Sequence, residues 1–121
     1  MTEDAFPVGV VAGIPVVRAC AEIDVTNAAG LRAALAEAAA SGHGTLVVDM
    51  TQTRFCDTSG IHALVGAHKR AQADGGAVLL AVTSSAVVLR VFTITGLDEV
   101  IPHFASLERA LAAASENVGG S

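Results

Sequence analysis

A chain of 121 residues is long enough to bury a self-sufficient core and is expected to form one domain. Its 52% hydrophobic and 16% charged residues exclude a wholly disordered chain. Seven basic residues against 12 acidic ones, with neither Trp nor Tyr, exclude the basic, stacking surface of a nucleic-acid binder.

No membrane insertion is expected, because the longest apolar runs, such as Ala77 to Val82, fall far short of the ~20 residues a spanning helix needs. Met1 to Pro7 is acidic and lacks the basic, then apolar, plan of a signal peptide. Cys20 and Cys56 show no metal or redox spacing, so a soluble, cytoplasmic protein with reduced thiols is expected. A net charge of −5 and an alanine-rich surface suit a monomer.

In chain order, Val8–Val11 and Ile14–Cys20 flank Ala12-Gly13 and predict a β-hairpin. Pro15 cannot donate to a ladder, which puts its strand near an edge or the proline at the strand's start. Glu22 to Thr26 leads to Asn27, the expected cap of a first helix running to about Ala40. Leu31, Ala34, Leu35 and Ala38 form its buried stripe, and Ser41 to Gly44 stop it. Thr45 to Met50 reads as a buried strand, followed by a loop and a helix from about 58 to 73. In that helix Ile61, Leu64, Val65, His68 and Ala71 share one face at 3.6 residues per turn. Asp74-Gly75-Gly76 ends it, and Ala77 to Val82 is the next buried strand.

Ser84-Ser85 is expected to cap a short third helix, Ala86 to Phe92, terminated at Thr95-Gly96. Val100-Ile101 starts a last short strand before Pro102. Ser106 caps a final helix through about Ala114, with Leu107, Ala110, Leu111 and Ala114 inward, and residues 115–121 read as a frayed tail. Strands alternating with helices imply parallel pairing with right-handed crossovers, while the opening hairpin makes the sheet mixed. The expectation is one α/β domain, with a core from about residue 8 to 114. It has one sheet of about four to five strands and about four helices, packed mainly on one face because their apolar residues form stripes.

The chemistry concentrates at Asp57-Thr58-Ser59-Gly60, one carboxylate, two hydroxyls and a glycine at a helix start. One such residue suffices to cap a helix, and an ordinary cap with solvated neighbours is one reading. The other is a switch surface: a phosphate on Thr58 or Ser59 would add about −1.5 to −2 charges while leaving the fold intact. Gly60, lacking a side chain, would let a partner's backbone approach. Cys56 reads as a buried structural thiol, and Ser59 lacks both a neighbouring base and the elbow motif of a hydrolase. His62 and His68 are six apart and point to different helix faces, so they do not form a metal pair; His68 falls on the apolar stripe. Asp49 is expected to satisfy loop N–H groups, and no glycine cluster precedes a phosphate-binding Lys. Neither a cofactor nor a metal is called for.

Three segments carry a resemblance: Ala21-Glu-Ile-Asp24, Phe55-Cys-Asp-Thr-Ser-Gly-Ile61, and Val88-Leu-Arg-Val-Phe-Thr-Ile-Thr-Gly-Leu97. In order and spacing they resemble the signatures of the STAS-domain anti-sigma factor antagonists, a likeness running from about Val8 to Ala114. The resemblance implies a non-enzymatic bacterial switch. The unphosphorylated form binds an anti-sigma factor, often itself a serine/threonine protein kinase, and frees a sigma factor. Phosphorylation breaks the complex, and a protein phosphatase resets it. Carried onto this sequence, the acceptor is Thr58, with Ser59 as alternative; Asp57 holds the loop, and Asp24, Gly60 and His62 belong to the partner surface, with Gly66 beside them. Ala21 stands where the family usually has Gly, and Thr58 where it often has Ser, which implies slower or kinase-selective phosphorylation. His62 stands where many members have Gly, implying selection of a particular partner or a non-phosphorylated relative. The same fold also serves as an accessory subunit or scaffold of transporter ATPases or stress-signalling complexes, independent of phosphate.

Overall fold

The computed structural model describes residues 6–41, 44–83 and 86–119. The chain runs β1 (Val8–Val11), β2 (Ile14–Arg18), β3 (Glu22–Ile23), α1 (Ala28–Ala40), β4 (Leu46–Met50), β5 (Phe55–Cys56) and α2 (Thr58–Ala73). It continues through β6 (Val78–Val82), α3 (Ala86–Thr95), α4 (Leu97–Val100), β7 (His103–Phe104) and α5 (Leu107–Gly119). The main sheet has five strands in the order β1-β2-β4-β6-β7, with β1 antiparallel to β2 and the other pairs parallel. A separate two-stranded parallel ladder joins β3 to β5.

The sheet's two faces divide by the period-2 rule. Val17, Leu46, Val48, Met50, Val78 and Leu80 pack into the larger core with Leu31 and Leu35 of α1, Leu64 of α2, Phe92 of α3 and Leu97 of α4. Val16, Val47, Leu79 and Ala81 face the other way, onto Ala110 and Ala114 of α5. Burial of both faces is why β4 and β6 are apolar throughout save Asp49. Helices therefore sit mainly on one face, with α5 alone on the other among the described residues. Pro15 lies in a strand flanked on both sides, yet opposite β4 the ladder begins only at Val16↔Val47. Its missing N–H removes no bond from that ladder.

Four boundaries differ from the expectation. β3 and β5 are strands of two residues, too short for alternation to announce them. The third helix continues to Thr95, where the Thr93 and Thr95 hydroxyls donate to the Leu89 and Val91 carbonyls. Gly96, at φ 78, then breaks it and opens α4. Val100-Ile101 is accordingly not a strand: Leu97 and Ile101, one helical turn apart, are both buried, and pairing with β6 starts after Pro102, whose carbonyl accepts from Leu80 N. The last helix extends to Gly119, because nothing between Ala114 and the closing glycines stops it. Its Ser106 cap is observed, with Oγ accepting from Arg109 N at 3.1 Å. The predicted Ser84-Ser85 cap, and the Gly42-His43 part of the first helix stop, lie outside the described residues.

His68 is 2% exposed, and its Nδ1 accepts from the backbone N–H of Val78 at 3.1 Å, tying α2 to the start of β6. Burial holds its pKa below the ordinary 6.5, against an opposing effect of the Val100 backbone. The folded state therefore binds a proton less readily than the unfolded one. Stability should fall as pH drops below about 6.5, by at most about 1.4 kcal/mol per pH unit for this one group. Urea unfolding across this range should reveal the slope in the wild type and lose it in H68Q.

Candidate functional site at the start of the second helix

Glu22-Ile23-Asp24 and Phe55-Cys56-Asp57 share a pattern in which a buried apolar residue precedes an aspartate. The β3–β5 ladder pairs Glu22 with Phe55 and Ile23 with Cys56. The Ala21 carbonyl accepts from Arg54 N at 2.7 Å and Phe55 N at 3.2 Å, and Asp57 N donates to the Ile23 carbonyl at 3.0 Å. Asp24 and Asp57 thus emerge side by side, one step beyond the ladder, at roughly the 5 Å spacing of neighbouring strands.

Asp57 caps α2. Its Oδ1 accepts from Ser59 N at 2.9 Å and Gly60 N at 3.3 Å, while its carbonyl accepts from Ile61 N at 3.1 Å. One residue satisfies the first turn, and the two hydroxyls beside it are left over. Gly60 turns inward, contrary to the expectation that it opens space for a partner. A Cβ there would stand 2.6 Å from Cys56 Sγ and 2.7 Å from Ile23 Cγ2. The glycine is required by the close approach of α2 to the small ladder.

Asp24 sits in a turn of its own making. Its Oδ1 accepts from the N–H and hydroxyl of Thr26, and its carbonyl accepts from Asn27 N and Ala28 N. The Thr26 hydroxyl, then its N–H, hold the Asp24 carboxyl below the usual carboxylate value. Asn27 occupies the cap position of α1 without capping it. Its amide instead bridges back, accepting from Asp24 N at 3.0 Å and donating to the Glu22 carbonyl at 2.9 Å. The residue expected to start the helix shapes the acidic loop.

Thr58 is exposed and Ser59 half-buried, and among the described residues neither hydroxyl has a hydrogen-bond partner. His62 is exposed one turn further along α2, with Gly66 half-buried beyond it. Sequence reasoning missed an apolar flank to this site. Phe55 is 42% exposed on β5, and α3, which packs against β5, exposes Val87 (54%) and Ile94 (76%) with Arg90 and Val91 between them. Those residues follow the i, i+3, i+4, i+7 rule, and the signal was present as a second apolar stripe opposite the buried Val88 and Phe92.

Cys56 is buried, and desolvation, then Asp57 and Cys20, push its thiol up to about 12. Among the described residues no group of three His, Cys, Asp or Glu could hold a metal ion, and no helix is long and apolar enough to cross a membrane. Asp49 accepts from the N–H and hydroxyl of Thr51, from within the end of β4.

A family model described as the STAS domain matches residues 6–110. The chain belongs to the STAS-domain family. This STAS domain is similar to an anti-sigma factor antagonist from Mycobacterium paratuberculosis, with TM-score 0.80 and 26% identity over 90% of this chain and 92% of that one. It is similar in fold to the anti-sigma factor antagonist SpoIIAA in its unphosphorylated form (TM-score 0.71, 24% identity, 97% and 98% covered). The phosphorylated form of SpoIIAA, a Bacillus cell fate determinant, matches with TM-score 0.66 at 23% identity, covering 90% and 98%. No protein of curated function matches the sequence.

The cap and the close approach predict a graded response in urea unfolding. G60A should cost ~1–3 kcal/mol by overpacking, and D57A ~1–2 kcal/mol by loss of the cap. T58A should stay within about 0.5 kcal/mol of wild type, because its hydroxyl is unbonded.

Proposed function

We propose that this STAS domain is an anti-sigma factor antagonist whose binding is switched by phosphorylation of Thr58, with Ser59 as the alternative acceptor. The observation that carries the reading is the surplus hydroxyl. Thr58 stands exposed at a helix start that Asp57 already caps, so it is accessible to a kinase and free of any role in the fold. The likeness to anti-sigma factor antagonists supports the same assignment.

In the unphosphorylated form, the Asp24 turn, the Asp57–Gly60 corner and the exposed side of α2 with His62 and Gly66 receive the anti-sigma factor. Phe55 and the Val87–Ile94 face enlarge that surface. The Ser59 and Gly60 N–H groups are committed to Asp57, so a phosphate on Thr58 finds little stabilisation from the helix start. It instead adds about −1.5 to −2 charges beside Asp24 and Asp57 and fills the space the partner occupies. Release follows from charge and bulk, with the fold unchanged. The kinase is the anti-sigma factor itself, a phosphatase resets the switch, and all three act in the cytoplasm. The domain contributes no catalytic group, cofactor or metal.

Reconstitution with the anti-sigma factor kinases of the native organism tests the reading. T58A should bind its cognate kinase and resist release by ATP, while T58E should bind at least about tenfold more weakly, roughly 1.4 kcal/mol. S59A should still accept phosphate. ATP-dependent release of T58A, with S59A resistant, would move the acceptor to Ser59.

A further inference from the structure

The two edges of the main sheet are finished differently. β7 is two residues long and begins just after Pro102, which blunts it. β1 has four residues, Val8-Gly-Val-Val11, with Val10 64% and Val11 43% exposed, and no charge or bulge along it. We propose that β1 is a self-association edge, at which a second copy adds its own β1 antiparallel across a twofold axis at Gly9.

The register follows from the ladder already present. Arg18 N donates to the Pro7 carbonyl, and β1 pairs with β2 as Val8↔Val17, Gly9↔Val16, Val10↔Pro15 and Val11↔Ile14. Bonded and non-bonded positions alternate in an antiparallel pair. Gly9 and Val11 therefore spend their backbone groups on β2, while Val8 and Val10 direct theirs outward. With the twofold at Gly9, Val8 of one copy lies opposite Val10 of the other, and every outward N–H and C=O of these residues is satisfied. Val8 and Val10 share the α1 face, so the register keeps each face continuous and the two five-stranded sheets merge into one. Gly9, where an added Cβ would meet nothing within 4 Å, supplies the close central pair.

Charge selects the occupant. The molecule carries −5, which opposes self-contact over most of its surface, but residues 6–17 contain no ionisable side chain. Arg18, the next charge along, borders the groove beside β1 and lies 4.0 Å from Asp49 of β4. Along β1 itself a charged strand would find no counterpart. The chain's own β1 is uncharged and matches itself in register. So short an edge falls at the low end of interface sizes, and the dimer is correspondingly weak, with Kd on the order of tens to hundreds of micromolar.

Sedimentation equilibrium of the full chain over a concentration series tests this. The wild type should show a reversible monomer–dimer equilibrium, and V10K, whose lysine replaces an exposed valine, should remain monomeric with an unchanged circular dichroism spectrum. In a Cys20→Ser background, G9C should form a disulfide-linked dimer on mild oxidation, since the close pair places Cα atoms ~4.5 Å apart, within disulfide range. A12C, in the turn, should not. A wild type monomeric throughout, a dimer that V10K leaves unweakened, or cross-linking of A12C rather than G9C would overturn the proposal; a strand captured there from another protein without self-association would do the same.

Discussion

Everything at the candidate site depends on how Asp57 is held. Its N–H donates to the Ile23 carbonyl, its carboxylate accepts from the first turn of α2, and its own carbonyl accepts from Ile61 N. One residue thereby joins a two-residue ladder to a sixteen-residue helix. The cap contributes only ~1–2 kcal/mol. Its consequence is geometric: the helix start is brought against Ile23 and Cys56 so closely that only glycine fits at position 60.

That constraint separates the parts of the molecule that move energy from the parts that carry information. The main sheet is buried on both faces, and α2 is fastened at two points, by Asp57 and Gly60 at its start and by His68 to Val78 further along. Thr58 lies on this anchored element without being one of its anchors. A charge placed there changes what the surface presents and leaves the packing beneath it alone. The Asp24 turn is built by the same economy, with the Thr26 N–H holding the carboxylate and the Asn27 side chain accepting from the Asp24 backbone N–H.

Most of the architecture was legible because its elements are long and periodic. The Ile61–Ala71 stripe, the apolar runs at β4 and β6, and the Ala12-Gly13 hairpin all express a single local rule. Part of what was not legible depended on partners distant in sequence. β3 and β5 exist only because each has the other, thirty-three positions away. In sequence Gly60 reads as an opening because its neighbour Ile23 comes from another segment. Asn27 reads as a cap because capping the helix and turning back to Glu22 and Asp24 are both local options for an asparagine side chain. Val100-Ile101 resembled a strand by β-branching, and burial of Ile101 beneath a helical turn won.

The measurement that tests the account most directly is phosphopeptide mapping of the protein isolated from its native cells, reading the peptide from Arg54 to Lys69 across growth and stress conditions. The account predicts a single phosphate on Thr58 whose occupancy changes with condition. A peptide unmodified under every condition would contradict the switch and leave a STAS domain that docks without phosphate.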